Sequence, residues 1–215
     1  MKLNIKLCIF ILLSSFKQNY CYNLCVVGGK SGLGRELVYQ SILSNQKVLA
    51  LTNNSLNIEY PHRGTGLTRE SSNKYIESKN LKVDSYDNFK KYKVKNIVFT
   101  TGAGPFELDY SDIITENIIE NIDYKLEQII LISAHGVGNS LEKSNLGIKI
   151  MDSIYLRDSY RAKNAQEKII KDYSEKKNVN SFIIRPKGLS FGPNLYSIQS
   201  REKLASEILE LLFLN

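Results

Sequence analysis

The sequence predicts an α/β protein with a doubly wound, mostly parallel sheet of about six or seven strands. Strand and helix patterns alternate along nearly all of its 215 residues. The strands are short, continuous apolar runs, as expected for parallel strands that are buried on both faces. One glycine-rich turn follows the first strand and another follows the fourth. With right-handed crossovers and strand order 3-2-1-4-5-6, both turns lie where the strand order reverses.

The elements follow one another in a regular order. The predicted strands cover residues 23–27, 47–52, 81–84, 96–100, 128–133 and 180–184. The predicted helices cover residues 33–44, 86–92, 109–122, about 153 or 156 to 176, and 200–212. Apolar residues recur at helical spacing in these helical stretches. Residues 55–72 form a polar loop, the least regular part of the domain.

Residues 1–21 have the order of a secretory signal peptide. Lys2 and Lys6 precede an apolar centre at residues 7–13, and a polar stretch leads to Cys21. The apolar run is too short to span a bilayer comfortably. The prediction is entry into the secretory pathway, which leads to the endoplasmic reticulum lumen, to secretion or onward to a secondary plastid. The alternatives are an uncleaved membrane anchor or a wrongly chosen start codon.

The mature domain, residues 22–215, is only mildly basic. Cleavage after Cys21 removes three lysines and no acidic residue, so the formal net charge falls from +7 to +4. This charge, without a patch of basic and aromatic residues, argues against nucleic-acid binding. Cys25 is then the one remaining cysteine, so no internal disulfide is expected. Two histidines and one cysteine predict no metal site.

The first glycine turn has the features of a phosphate-binding turn. Gly28, Gly32 and Gly34 follow an apolar strand and open an amphipathic helix. Glycines let the backbone approach a phosphate, and a helix N-terminus offers free N–H groups and a positive dipole end. The residues Gly29-Lys30-Ser31 also suggest a P-loop, but the first glycine of that pattern would fall at Leu24.

The spacing Gly28-x-x-x-Gly32-x-Gly34 resembles the turn of short-chain dehydrogenase/reductase proteins. Further stretches carry the same resemblance, and together they cover residues 23–212: Asp84, Thr101-Gly102-Ala103-Gly104, Leu108-Asp109-Tyr110, Lys163, Glu167, Tyr173, Arg185-Pro186 and Phe191-Gly192-Pro193. They are most similar to the atypical members, which include NmrA-like, biliverdin-reductase-B-like and plant stress-related proteins. The resemblance implies a single Rossmann domain that binds NAD(P).

The resemblance also implies a cofactor site at the two glycine turns and the ends of the second and third strands. Its predicted residues are Gly28, Gly29, Lys30, Ser31, Gly32, Leu33, Gly34, Arg35, Thr52, Asn53, Asp84, Thr101, Gly102, Ala103, Gly104 and Lys163. An NAD-specific site usually has an acidic residue at the end of the second strand. This chain has Thr52-Asn53-Asn54 there, and Lys30 and Arg35 lie in the glycine turn. NADP(H) is therefore favoured over NAD(H).

The catalytic residues depart from the family pattern. The family uses a tyrosine as general acid/base and a lysine four residues later, which lowers the pKa of the tyrosine and holds the ribose. Lys163 is in register, but Ser159 stands where the tyrosine is expected. Tyr160 is the next residue, rotated by about 100° on a helix, so it reaches the cofactor only if the helix start is irregular. The family's serine is also displaced, with Ser133 present and His135 nearer its usual place.

Lys163, Tyr160 and Ser133 are the candidate catalytic residues. The leading hypothesis is an NADPH-dependent reductase of a small organic substrate, so the expected partners are a dinucleotide cofactor and a small molecule. About 29 residues follow Arg185-Pro186, which leaves a minimal segment to cover a substrate. The alternative is an inactive NADP(H)-binding scaffold, redox sensor or assembly factor, which the serine at position 159 favours.

Overall fold

A computed structural model describes residues 21–53, 56–62, 64, 74–103, 108–138, 156–191 and 198–213. The strands of its main sheet are β1 (Tyr22–Val27), β2 (Val48–Thr52), β3 (Leu81–Ser85), β4 (Val94–Phe99), β5 (Gln128–Ile132) and β6 (Asn180–Ile184). They pair in parallel in the order β3-β2-β1-β4-β5-β6. The predicted fold class and strand order are thus confirmed.

Four α-helices lie in the described part of the chain. They are α1 (Gly32–Leu43), α2 (Ser111–Glu120), α3 (Arg157–Lys177) and α4 (Arg201–Phe213). Ser31 caps α1 by accepting a hydrogen bond from the Gly34 amide at 2.8 Å. Asn178 ends α3 in the left-handed conformation, with φ of 52°. These bounds lie within a few residues of the predicted ones.

Both faces of the sheet are buried because successive residues of a strand point to opposite faces. Leu24 and Val26 of β1 pack in one core with residues of α1 and α4. Cys25 and Val27 pack in a second core with residues of α2 and α3. The fold is therefore a three-layer arrangement of helices, sheet and helices.

Two details go beyond the sequence-based expectation. The predicted helix after β3 is a 3-10 helix over Tyr86–Lys91. A second, two-stranded parallel sheet joins β7 (Leu189–Ser190) to β8 (Gln199–Ser200). Strands of two residues have no periodic pattern that a sequence could reveal.

The predicted signal peptide falls on residues 1–21, and residues 1–20 lie outside the described residues. It stays a prediction. Among the helices of the described ranges, none is long and apolar enough to cross a membrane.

Candidate functional site

The carboxyl ends of β1 and β4 meet at the first glycine turn. The backbone amide of Thr100 donates to the Val27 carbonyl at 2.8 Å. Ser31 Oγ donates to Thr100 Oγ1 at 3.0 Å, and that hydroxyl lies 3.0 Å from the Gly28 carbonyl oxygen. The turn is therefore fixed to the end of β4, and the second glycine stretch lies beside it.

The three glycines of the turn meet different surroundings. Gly28 has φ of 88°, a conformation that side chains disfavour. A Cβ at Gly34 would overlap the carbonyl oxygen of Gly28, so α1 packs directly against the turn. A Cβ at Gly32 would meet the side chain of Arg201. These are the tight turn and the close helix packing that a dinucleotide-binding turn requires.

A cavity of about 380 Å³ opens at this edge of the sheet. Eight of the predicted cofactor residues line it: Gly28, Lys30, Ser31, Thr52, Asn53, Thr101, Gly102 and Ala103. Tyr86, Asp109, Tyr110 and Ile114 line it as well. Gly104 lies outside the described residues. The size of the cavity and its mix of polar and apolar walls suit a small organic ligand or part of a dinucleotide.

Arg35 does not line this cavity. Its side chain is buried and points to the loop after β2, where Nη2 lies 3.2 Å from the Glu59 carboxylate. Its Nη1 contacts the ring of His62, and His62 Nε2 lies 2.9 Å from the same carboxylate. The guanidinium therefore ties α1 to residues 59–62 in this structure. Lys30 is the cation of the turn that faces the cavity.

Asp84, at the end of β3, is held by its own neighbourhood. Its carboxylate accepts from Tyr92 Oη at 2.5 Å, from Asn88 Nδ2 at 2.7 Å and from the Ser85 amide at 2.8 Å. The Tyr92 hydrogen bond, with the other two, lowers the pKa of Asp84 despite partial burial. Asp84 thus anchors the 3-10 helix, and Tyr86 of that helix reaches the cavity instead.

Lys163 is buried beneath the cavity floor. Its Nζ donates to the carbonyls of Thr101 and Ile132, the latter at 3.0 Å, and to Gln166 Oε1 at 2.9 Å. An ammonium has three donors, so all three are engaged. Burial lowers the pKa of Lys163 to about 8, while the charge of Asp109 acts in the opposite direction. Lys163 joins α3 to the ends of β4 and β5.

Gln166, one turn after Lys163 on α3, extends this network. It is fully buried, and its Nε2 donates to Thr115 Oγ1 at 2.6 Å and to the Ser111 carbonyl at 3.1 Å. The sequence analysis missed this residue, since a glutamine in an amphipathic helix carries no local signal of burial. Through Lys163 and Gln166, the network ties Thr101 and Gly102 at the cavity to α3.

Ser159 and Tyr160 point in different directions from α3. Ser159 Oγ donates to Asp109 Oδ2 at 3.2 Å, and Asp109 lines the cavity. Tyr160 Oη donates to the His135 carbonyl at 2.8 Å, in the loop after β5. Over the described residues α3 is helical from Arg157, and Tyr160 lies one residue out of register with the expected tyrosine position. The position four residues before Lys163 therefore presents a hydroxyl supported by a carboxylate.

Ser133 lies at the end of β5, buried on the side of Glu167. Burial opposes ionisation of Glu167, but the hydrogen bonds from Arg185 and the nearby positive charges lower the pKa of its carboxyl. Arg185 Nε and Nη2 donate to that carboxylate at 2.7 and 2.5 Å. This bidentate pair joins α3 to the end of β6. No group of acidic, histidine and cysteine side chains suited to a metal ion occurs in the described ranges.

Comparison with known proteins agrees with this architecture. No family model and no curated protein sequence match the chain. Among solved structures, ChuY, an anaerobillin reductase from Escherichia coli O157:H7, has a TM-score of 0.59 and 13% identity over 89% of this chain and 90% of that chain. The Bordetella bronchiseptica enzyme WbmH, in complex with NAD+, has a TM-score of 0.59 and 10% identity over 89% and 71%.

Vestitone reductase from alfalfa (Medicago sativa) has a TM-score of 0.57 and 12% identity, over 89% of this chain and 73% of that chain. At these identities the likeness concerns the fold. The chain has a Rossmann fold, with its six parallel strands in the order β3-β2-β1-β4-β5-β6.

Proposed function

We propose that this Rossmann-fold chain is an NAD(P)(H)-binding protein of the atypical short-chain dehydrogenase/reductase type and an NADPH-dependent reductase of a small organic substrate. One observation carries the proposal. The glycine turn after β1, the N-terminus of α1 and residues Thr101–Ala103 after β4 line a single cavity. Ligands of open α/β sheets bind where these elements meet. The similarity to ChuY, a reductase, and to WbmH, which binds NAD+, supports it.

The residues of the turn fit a dinucleotide. Gly28 and Gly34 allow a tight turn against β4 and α1, because a Cβ at either would collide with neighbouring protein atoms. The N-terminus of α1 offers amides and a positive dipole end to a diphosphate. Asn53 and Tyr86 line the part of the cavity next to β2 and β3, where they face the adenosine half. A bound nicotinamide supplies or accepts the hydride.

The preference for NADP(H) rests on Lys30. Thr52 and Asn53 at the end of β2 place no carboxylate against a 2′-phosphate, and Lys30 lines the same cavity. Arg35 is bound to Glu59 and His62, so it contributes by holding the loop that flanks this corner. A single lysine gives a charge-assisted contact that NADH lacks.

Titration with NADPH and NADH tests the proposal. The chain has no tryptophan, so nicotinamide fluorescence or calorimetry is the readout. Lys30→Ala is expected to weaken NADPH by about 10- to 100-fold and NADH by much less. Lys95→Ala, near the opposite end of the sheet on an exposed ion pair with Glu127, is the matched control. Absence of binding by both cofactors would overturn the proposal.

Ser159 and Lys163 favour a second candidate, a dinucleotide-binding protein without catalysis. A serine occupies the tyrosine position, and the three donors of Lys163 are engaged within the protein. Turnover with carbonyl, quinone and flavin substrates separates the two functions. Oxidation of bound NADPH with any of them supports the reductase, and tight NADPH binding without oxidation by the whole panel supports a scaffold or sensor.

We also propose that residues 1–21 are a cleaved signal peptide, so that the mature chain begins near Tyr22. The order of charged, apolar and polar residues supports this. N-terminal sequencing of the protein from its native source tests it: a start near residue 22 is expected, and an intact Met1 contradicts cleavage.

A further inference from the structure

Arg201 covers the second glycine of the turn. A Cβ built on Gly32 would lie 2.7 Å from Arg201 Nε, 3.1 Å from its Cδ and 3.4 Å from its Cζ. The side chain therefore packs flat against the backbone at the start of α1. In a dinucleotide-binding turn, the second glycine is the one that lets the diphosphate approach the backbone. Arg201 thus lies against the start of α1, next to Ser31, which lines the cavity.

The guanidinium of Arg201 has an unused donor. Its Nη1 is inaccessible to water and has no hydrogen-bond partner among the residues that the structure describes. Its Cζ lies 4.0 Å above the ring of Phe191, which holds the planar group in place. Burial lowers the pKa of Arg201, and the charge of Glu36 opposes that effect. A buried, unpaired N–H of a charged group is unfavourable unless a ligand accepts from it.

The positive charge of Arg201 also lies in an unfavourable position relative to two helix dipoles. Arg201 is the first residue of α4 and packs on the first residue of α1. Both helix N-termini carry partial positive charge, so a cation between them is repelled by each. An anion bound at the same point would remove both the repulsion and the unused donor.

We propose that Arg201 is a diphosphate-binding residue, which donates from its guanidinium to the cofactor diphosphate as the diphosphate docks on the N-terminus of α1. The inference rests on the proposed function and adds a contact from the C-terminal helix. The short β7–β8 pairing, with Leu189 opposite Gln199 and Ser190 opposite Ser200, fixes the start of α4 beside Phe191. The arginine is therefore presented by a defined element rather than by a free loop.

The test compares Arg201→Gln and Arg201→Lys with the wild type. The ligands are NADPH, NADH and ADP-ribose, because ADP-ribose lacks nicotinamide and NADH lacks the 2′-phosphate, while all three carry the diphosphate. Arg201→Gln is expected to weaken all three by a similar factor of about 10 to 100. Arg201→Lys keeps the charge and loses the planar guanidinium, so its affinities for the three ligands are expected to lie between those of the wild type and Arg201→Gln.

The matched control is Arg161→Gln, which removes an exposed arginine paired with Asp112 at 3.4 Å. It is expected to leave all three affinities unchanged. Thermal unfolding without ligand gives a second readout. Arg201→Gln is expected to unfold close to the wild-type temperature without ligand, because the lost contact with Phe191 offsets the removal of a partly buried charge, but to gain less stability from ADP-ribose.

Several outcomes would overturn the inference. Unchanged affinities in Arg201→Gln would show that Arg201 makes no ligand contact. Tighter binding would show that it blocks the site, and a loss confined to NADPH would assign it to the 2′-phosphate. Each of these leaves wild-type binding intact, so the proposed function survives. Failure of the wild type to bind all three ligands would instead refute the proposed function, and this inference with it.

Discussion

Gly32 and Gly34 offer a comparison of two alanine substitutions on one helical turn. A Cβ at Gly34 would overlap the carbonyl oxygen of Gly28 and stand 2.8 Å from Ser31 Oγ. That carbonyl accepts the Ser31 amide at 2.9 Å, and Ser31 caps α1. Alanine at position 34 must therefore move α1 away from β1. A Cβ at Gly32 would meet only the side chain of Arg201, which can rotate away.

The two variants should differ mainly by this steric term. Each alanine favours the helix by up to about 1 kcal/mol. Overpacking against a backbone atom costs about 3 kcal/mol, the upper end of the usual range. For a domain of this size, that loss lowers the melting temperature by roughly 6 to 12 °C. Displacing Arg201 from Phe191 costs about 0.5 to 1 kcal/mol, which the helix propensity offsets, so Gly32→Ala should remain close to the wild type.

Urea unfolding followed by far-ultraviolet circular dichroism measures both stabilities, and cofactor titration completes the comparison. Gly32→Ala is expected to fold normally and yet to bind NADPH at least about 10-fold more weakly, because its methyl group displaces Arg201, the proposed diphosphate donor, from the start of α1. Gly34→Ala is expected to lose stability. Equal free energies of unfolding for the two variants, or full NADPH affinity in Gly32→Ala, would refute this account of the turn.

Three further predictions concern α3. The pKa of Lys163 is lowered from 10.5 to about 8, so the folded state binds fewer protons than the unfolded state between these pH values. Wild-type stability should therefore rise from pH 8 to 10.5 relative to Lys163→Met, by about 3 kcal/mol at most. Free energies of urea unfolding that run parallel with pH in the two proteins would contradict this. Glu167→Gln should lose about 2 kcal/mol of stability at pH 7, because it leaves Arg185 unpaired. The lowered pKa of Glu167 stabilises the fold above pH 4.5, so the variant should lose less stability than the wild type as the pH falls below that value. A variant that unfolds in acid like the wild type would be the contrary result. Tyr160→Phe should lower the free energy of unfolding by about 1 kcal/mol, because it removes the hydrogen bond to the His135 carbonyl, and should leave the NADPH dissociation constant unchanged. Lost turnover at unchanged affinity would show that this hydroxyl takes part in the reaction.

The sheet and its glycine turns were predictable because their signals are local. Continuous apolar runs such as Leu24–Val27 mark buried parallel strands, and each glycine turn directly follows such a run. Strand order then follows from the handedness of the crossovers. The β7–β8 pair was not predictable in this way, since two residues carry no period. Its effect on the site is nevertheless direct, because it sets where Arg201 begins α4.

Contacts between side chains that are distant in sequence were the main feature that the sequence did not predict. Arg35 follows the third glycine directly, and position alone suggested a phosphate contact. Its partners, Glu59 and His62, come from a polar loop with no periodic pattern. Arg201 shows the opposite case. Its sequence context is an ordinary amphipathic helix, and only the packing of α4 on α1 reveals that it faces Gly32.

The position of Lys163 separates binding from catalysis in this fold. Its position in the sequence matched that of a lysine that lowers the pKa of a tyrosine and holds ribose. A buried ammonium needs a hydrogen-bond acceptor for each N–H, and Thr101, Ile132 and Gln166 supply these acceptors. Its partner in the pattern is Ser159, whose hydroxyl faces Asp109 at the cavity. A reductase built on this site would have to protonate its product from a group other than the usual tyrosine. The diphosphate end, by contrast, has a turn, a helix N-terminus and an unused arginine donor, so dinucleotide binding is the property that the structure supports most directly.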